Sequence, residues 1–235
     1  MHRIAQRGIA IAACLTLAAA AAACSDEAPG EGGSTANVPG VTADSVTFGT
    51  HQPLTGPASA GYSKISPATR AYFDYVNKNG GVHGRQIKYI VKDDAYNPSN
   101  TQTLVRELVQ QDKVFAILNG LGTPTHTNVL DFLKAEKVPD LFVASGSTSW
   151  NQPEKYPTTF GFQPDYVVEG KIMADYVKKN YPGQAVCHFG QDDDFGRDSL
   201  AGVEQILGKD GVKDRQKYVT SQTTLAPQIG AFKTA

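Results

Sequence analysis

Val114–Lys137 reads VFAILNGLGTPTHTNVLDFLKAEK. Val114 to Leu118 is apolar without interruption, the pattern of a strand covered on both faces. A glycine loop follows, then Thr123-Pro124, a cap and first-turn pair, so 123–137 is predicted to be a helix. Strand, short loop and helix form the repeating unit of a parallel α/β sheet.

The same unit recurs on both sides. Upstream, SVTFGT (45–50) and QIKYIVK (86–92) read as strands. The segment 65–81 reads as a helix with apolar Ala68, Tyr72, Tyr75 and Val76, opened by Ser66-Pro67 and stopped by Gly80-Gly81. Asn97-Pro98 opens a second helix, 97–111, with Leu104, Val105, Leu108 and Val109 on one face. Downstream, LFVA (141–144) is a fourth strand, and the four together argue a doubly wound parallel sheet. FGFQ (160–163) is expected to begin a second set: helix 164–180 with Val168, Ile172 and Tyr176, strand 185–189, helix 197–208 with Leu200, Val203 and Leu207, and strand 216–220. A last helical start follows Pro227, and the chain stops at Ala235 within it, so the second sheet is expected to be unfinished.

The N-terminus has a different character. Arg3 and Arg7 precede a 15-residue apolar run, Ile9 to Ala23, followed at once by Cys24. At ~1.5 Å per residue such a run spans ~22 Å, short of the ~30 Å bilayer core, and it reads as an export signal, 1–23. The next segment, SDEAPGEGGSTANVPGVT, lacks hydrophobic periodicity, and 24–42 is expected to be a flexible tether reaching ~23 Å. The formal charge is −1 overall and −3 without the signal, with no basic patch for nucleic acid. Only Cys187 lies in the folded part, where an internal disulfide is impossible and a small buried core residue is expected.

Loops leaving the carboxyl ends of parallel strands gather on one edge, where ligands bind. Three of them, Leu54-Thr55-Gly56-Pro57, Gly120-Leu121-Gly122-Thr123 and Ala144–Ser149, are rich in small and hydroxyl residues that let a ligand approach the backbone. Gly120-Leu121-Gly122 is not a dinucleotide fingerprint: it follows the third strand, and its third glycine would fall at Thr125. No G-x-S-x-G elbow and no zinc spacing is present, so neither a catalytic residue nor a metal or other cofactor is expected. In GQDDDFGRD (190–198), Asp194–Gly196 spells a kinase triplet without the accompanying kinase motifs. Its three adjacent carboxylates splay apart and lack the alternation of a calcium loop. What remains is a strand-to-helix turn, with Gly196 supplying the bend and Phe195 as an aromatic cleft wall.

Several phrases occur together in order: Leu54-Thr55-Gly56-Pro57, Asn79–Arg85, Lys92-Asp93-Asp94-Ala95, Phe160–Pro164 and Asp192–Gly196. With them the chain, over about 43–235, resembles the type I periplasmic binding proteins of the Leu/Ile/Val-binding family. The resemblance implies a type I fold of two doubly wound parallel-sheet lobes, lobe one at 43–160 and an incomplete lobe two at 161–235. It implies a monomeric receptor, not an enzyme, that closes on a small polar solute, an amino acid or related amide or carboxylate, and delivers it to an ABC permease. A sensory module of the same fold is the alternative. Carried over by position, the solute contacts are Tyr62, Thr123, Ser145, Ser147 and Phe195. The disulfide of some members falls on Tyr96 and Gly122 and is absent. Ala21–Cys24 resembles a lipoprotein signal, with Ala21 where an aliphatic residue is usual, implying lipidated Cys24 as a membrane anchor on the extracytoplasmic side, or a secreted or periplasmic product without it. Because family chains continue further, these 235 residues alone are expected to bind weakly.

Overall fold

The structure, a computed structural model, describes residues 38–234. The predicted signal, Cys24 and the tether as far as Asn37 lie outside the described residues. The end of the expected tether is already docked: Val41 bridges Val46, and Thr47 N–H donates to Gly40 O at 2.8 Å.

The first sheet has five parallel strands in the order β2-β1-β3-β4-β5: β1 Ser45–Gln52, β2 Gln86–Asp93, β3 Ala116–Leu118, β4 Asp140–Val143 and β5 Thr159–Gly161. Between them run α1 Ser59–Tyr62, α2 Ile65–Lys78, α3 Pro98–Gln110, α4 Thr123–Thr127 and α5 Leu130–Ala135. Successive strand residues face opposite ways, and β1 shows that both faces are covered. Phe48 stacks on Phe73 of α2 at 6.3 Å, whereas neighbouring Gly49 lies under Leu108 of α3. The core on the α3 side is Val105, Leu108, Val109, Val114, Ile117, Val129 and Leu133. On the edge strand β2, Asn77 of α2 bonds both backbone groups of Ile87, at 2.7 and 2.9 Å, and so blunts the exposed edge.

The second sheet pairs β6 Val186–Gln191 with β7 Val212–Tyr218 in parallel. It is accompanied by α6 Tyr166–Asn180, α7 Asp194–Leu207 and α8 Ala226–Phe232. Its core is Ala174, Val203 and Val212, with Ile206 and Leu207 packed against it. Helices α6 and α7 cross at Gly170 and Gly202, where a Cβ on either would meet backbone of the other.

Several expectations change, among them the last strand, which spans Val212–Tyr218 rather than 216–220. Residues 123–137 form two short helices, because Thr125 and Thr127 hydroxyls bond carbonyls four residues back, at 2.6 and 2.7 Å, in competition with a continuous ladder. FGFQ does not start the second set: Thr159–Gly161 is the fifth strand of the first sheet, paired with β4. The apolar stripes chosen by periodicity on α2 and α6 face outward, with Tyr72, Tyr75, Ile172 and Tyr176 all more than half exposed, whereas Val105, Leu108 and Val109 on α3 are buried as expected. Helix α2 instead packs through Ile65, Ser66, Thr69 and Phe73, and α6 through Gly170 and Ala174. Cys187 is a free thiol in β6, half-buried rather than buried.

Candidate functional site

The carboxyl-end loops of both sheets border a cleft of about 440 Å³, within the range of small-molecule sites. From the first sheet come Pro57, Ala58, Tyr62 and Tyr96; from the second, Gln191, Phe195, Tyr218 and the segment after β7. A smaller cavity of about 80 Å³ shares Tyr62, Tyr96 and Phe195 and adds Leu121, Thr123 and Tyr166. Phe195 packs on Tyr166 with ring centroids 4.7 Å apart, and with Tyr62, Tyr96 and Tyr218 it gives the cleft a cluster of aromatic rings. Burial pushes the Tyr96 and Tyr218 phenols upward, which keeps both neutral and able to donate. Gln191 Nε2 donates to Tyr96 OH at 3.5 Å, the one polar contact across the cleft mouth among the described residues.

Tyr96 is aimed by an unusual turn. Ala95 and Tyr96 both lie in the left-handed region, φ 53° and 58°, which costs a residue with a side chain. Consecutive carboxylates hold them there: Ala95 N–H donates to Asp93 Oδ1 at 3.0 Å, and Tyr96 N–H to Asp94 Oδ1 at 2.9 Å. Asp93 also accepts from the amides of Leu54 and Thr55 and from Thr55 Oγ1, fixing the loop that leads to Pro57 and Tyr62. Burial alone would raise the Asp93 pKa. The bonds from the Thr55 hydroxyl and the Ala95, Thr55 and Leu54 amides outweigh it and hold the carboxyl below the usual aspartate range.

A depressed folded pKa stabilises fully above the usual aspartate value, and the contribution is lost as pH falls through the folded value. Acidification below that range is therefore expected to release the Leu54–Thr55 loop, and Asp93→Asn to do so at neutral pH. Hydrogen exchange at the Leu54, Thr55 and Ala95 amides checks this; undiminished protection in Asp93→Asn contradicts it.

The resemblance-derived contacts divide into two groups. Tyr62, 47% exposed, and Phe195 line both cavities, and Thr123 lines the smaller one. Ser145 and Ser147 line neither, and both are buried. Ser145 Oγ is bonded to Thr123 Oγ1 at 2.7 Å and so backs that residue. Ser147 Oγ donates to Asp198 Oδ2 of α7 at 3.1 Å, and the same carboxylate accepts from Thr148 N–H at 3.0 Å and from Thr148 Oγ1 at 3.2 Å. The hydroxyl loop of the first sheet is thus latched to the second-sheet unit.

The acidic run Asp192–Asp194 diverges, as adjacent residues must. Asp192 pairs with Lys217 at 2.8 Å, Asp193 caps α7 by accepting from Phe195 N–H at 2.9 Å, and Asp194 pairs with Arg197. Gly196 is needed for close approach rather than a bend: it is buried, and a Cβ there would run into the Gln191 carbonyl. Sequence reasoning missed Tyr96, Gln191, Tyr218 and Asp198. Only Tyr96 had a local signal, the Asp93-Asp94 pair before it.

The sequence pattern of the periplasmic binding protein family matches residues 45–235, and the chain belongs to that family. The fold is that of the type I periplasmic binding proteins. A Leu/Ile/Val-binding protein homolog of Brucella melitensis is 24% identical over 177 residues, which are 72% of this chain and 45% of that one. An amino acid binding protein of Pseudomonas aeruginosa is 27% identical over 175 residues, with the same two shares. Among solved structures, a solute binding protein of an ABC transporter from Rhodopseudomonas palustris, in complex with 3,4-dihydroxybenzoic acid, is 27% identical with a TM-score of 0.67, over 81% of this chain and 52% of that one. The chain spans about half the length of the curated relatives it matches.

Proposed function

We propose that this protein is the extracytoplasmic receptor of an ABC importer, capturing a small solute between its two sheets and delivering it to the permease. The observation that carries the reading is the aromatic cleft whose walls come from both sheets, with Tyr62 and Tyr96 facing Phe195 and Tyr218. Such a site needs no catalytic group: the solute favours the closed form by contacting both walls at once. The solute class is an amino acid or a related amide or carboxylate, its apolar part between the rings and its polar end toward Thr123. The names of the Brucella and Pseudomonas relatives and the aromatic acid bound by the Rhodopseudomonas protein support that class. Lipidated Cys24 anchors the receptor to the membrane as a monomer; processing without lipidation leaves it secreted or periplasmic.

Thermal-shift measurements against branched-chain amino acids, amides and aromatic carboxylates test the reading. A ligand at a hundred times its Kd stabilises by about 2.7 kcal/mol, which for a chain of this size raises Tm by about 5–10 °C. No shift with any of these classes in the full-length protein overturns it.

A further inference from the structure

Behind the cleft loops lies a row of four buried groups that solute contact leaves unused. Asp94 Oδ2 faces His51 Nδ1, His51 Nε2 faces His126 Nδ1, and His126 Nε2 faces Asp140 Oδ2, each at 2.8 Å. All four side chains are fully buried. The row crosses the first sheet from the end of β2, through β1 and α4, to β4.

Each of the three contacts is a hydrogen bond only if one proton lies in it. Two neutral imidazoles between two ionised carboxylates supply two protons, so the row is one short. Without a third, one of the three contacts sets two lone pairs against each other at 2.8 Å in a dry interior, at the His–His contact or at one of the carboxylates according to the tautomers. The third proton also reduces the buried charge of the row from two negative units to one. Among the described residues no Lys or Arg faces it: the groups around the rings are the two carboxylates, each other, the edge of Trp150 at 5.1 Å from His126, and Thr101 Oγ1 on Asp94 at 2.8 Å. Asp140 Oδ1 is buried and has no partner among the described residues. Burial, the largest influence, lowers the His51 pKa, and the hydrogen bond to Asp94 opposes it.

The row meets the cleft at two places. Asp94 Oδ1 accepts the Tyr96 amide that aims the ring. Gly120 rests on the histidine pair so closely that a Cβ there would stand 2.6 Å from both His51 Nε2 and His126 Nδ1. Thr123 follows in the same loop and shares α4 with His126.

We propose that this row holds one shared proton that fixes Tyr96 and the Gly120–Thr123 loop in their solute-binding form, so that capture weakens as the proton is lost at higher pH. The regulation rests on the receptor reading above. The three-bond arrangement holds one proton more than the broken one, so rising pH favours the broken one. The test is imidazole nitrogen NMR on the full-length protein across the histidine range. The two rings are expected to titrate as one unit, with the Tyr96, Gly120 and Thr123 amide resonances following at the same midpoint. Asp140→Asn, which removes a charge but keeps the shape, moves that midpoint down by about one pH unit or more. Two ring protons at every pH, or cleft amides that ignore the titration, overturn the proposal. In a second arm, thermal shifts with L-leucine and 3,4-dihydroxybenzoate as probes are expected to shrink above the midpoint; equal shifts on both sides also overturn it. If neither probe shifts Tm at any pH, the receptor reading loses support, while the NMR arm still decides whether the row controls the loops.

Discussion

Phe195→Ala is expected to weaken solute binding about ten- to a hundredfold, with little effect on folding. The ring lines both cavities and packs on Tyr166, so a solute entering the cleft buries it further. Burying an aromatic face of this size is worth about 1.5–3 kcal/mol, and each 1.4 kcal/mol is a factor of about ten in Kd. Folding is spared because the capping bond at this position uses the backbone N–H of Phe195, donated to Asp193 Oδ1, which alanine retains. Phe195→Tyr keeps the ring and is expected to recover most of the affinity. Titration calorimetry with a solute from the thermal-shift panel measures both variants, and equal affinity in Phe195→Ala and the parent removes the ring from the site.

Gly202→Ala is expected to cost folding stability toward the upper end of the range for overpacking, about 1–3 kcal/mol. Its Cβ would enter the Val167 carbonyl and stand 3.0 Å from Gly170 Cα. Both obstacles are backbone, so no flexible side chain can give way, and α6 must move off α7 with the packing of Ala174 and Val203. Gly230→Ala in α8 is the control: nothing lies within 4 Å of its added carbon, and it gains about 0.4–1 kcal/mol from a stiffer unfolded chain. Urea unfolding separates the two, and equal midpoints would mean that the crossing tolerates a methyl group.

The parallel alternation of strands and helices in the first unit could be read from the sequence because strands covered on both faces leave long apolar runs, as at Val114–Leu118, and because Asn97-Pro98 and Thr123-Pro124 mark helix starts. Helix faces were read less well, for a physical reason. Helix α6 makes its contact through Gly170 and Ala174, which carry almost no hydrophobic signal, while its conspicuous Ile172 and Tyr176 point outward. The short β5 cannot be placed in a sheet from its sequence because three residues contain no register information; its pairing with β4 places it. At the cleft, local phrases lead to Tyr62, Thr123 and Phe195. They could not show that Ser147 is committed to Asp198, 51 residues away, or that His51 and His126, 75 apart, meet.

The latch at Asp198 has a mechanical consequence. Phe195 and Asp198 are separated by less than one turn of the same helix, one turned to the cavity and the other gripping the Ser147–Thr148 loop. A helix of 14 residues is stiff over so short a distance. The ring and the carboxylate are therefore mounted on one rigid turn, so the cavity wall and the joint between the sheets share a single support.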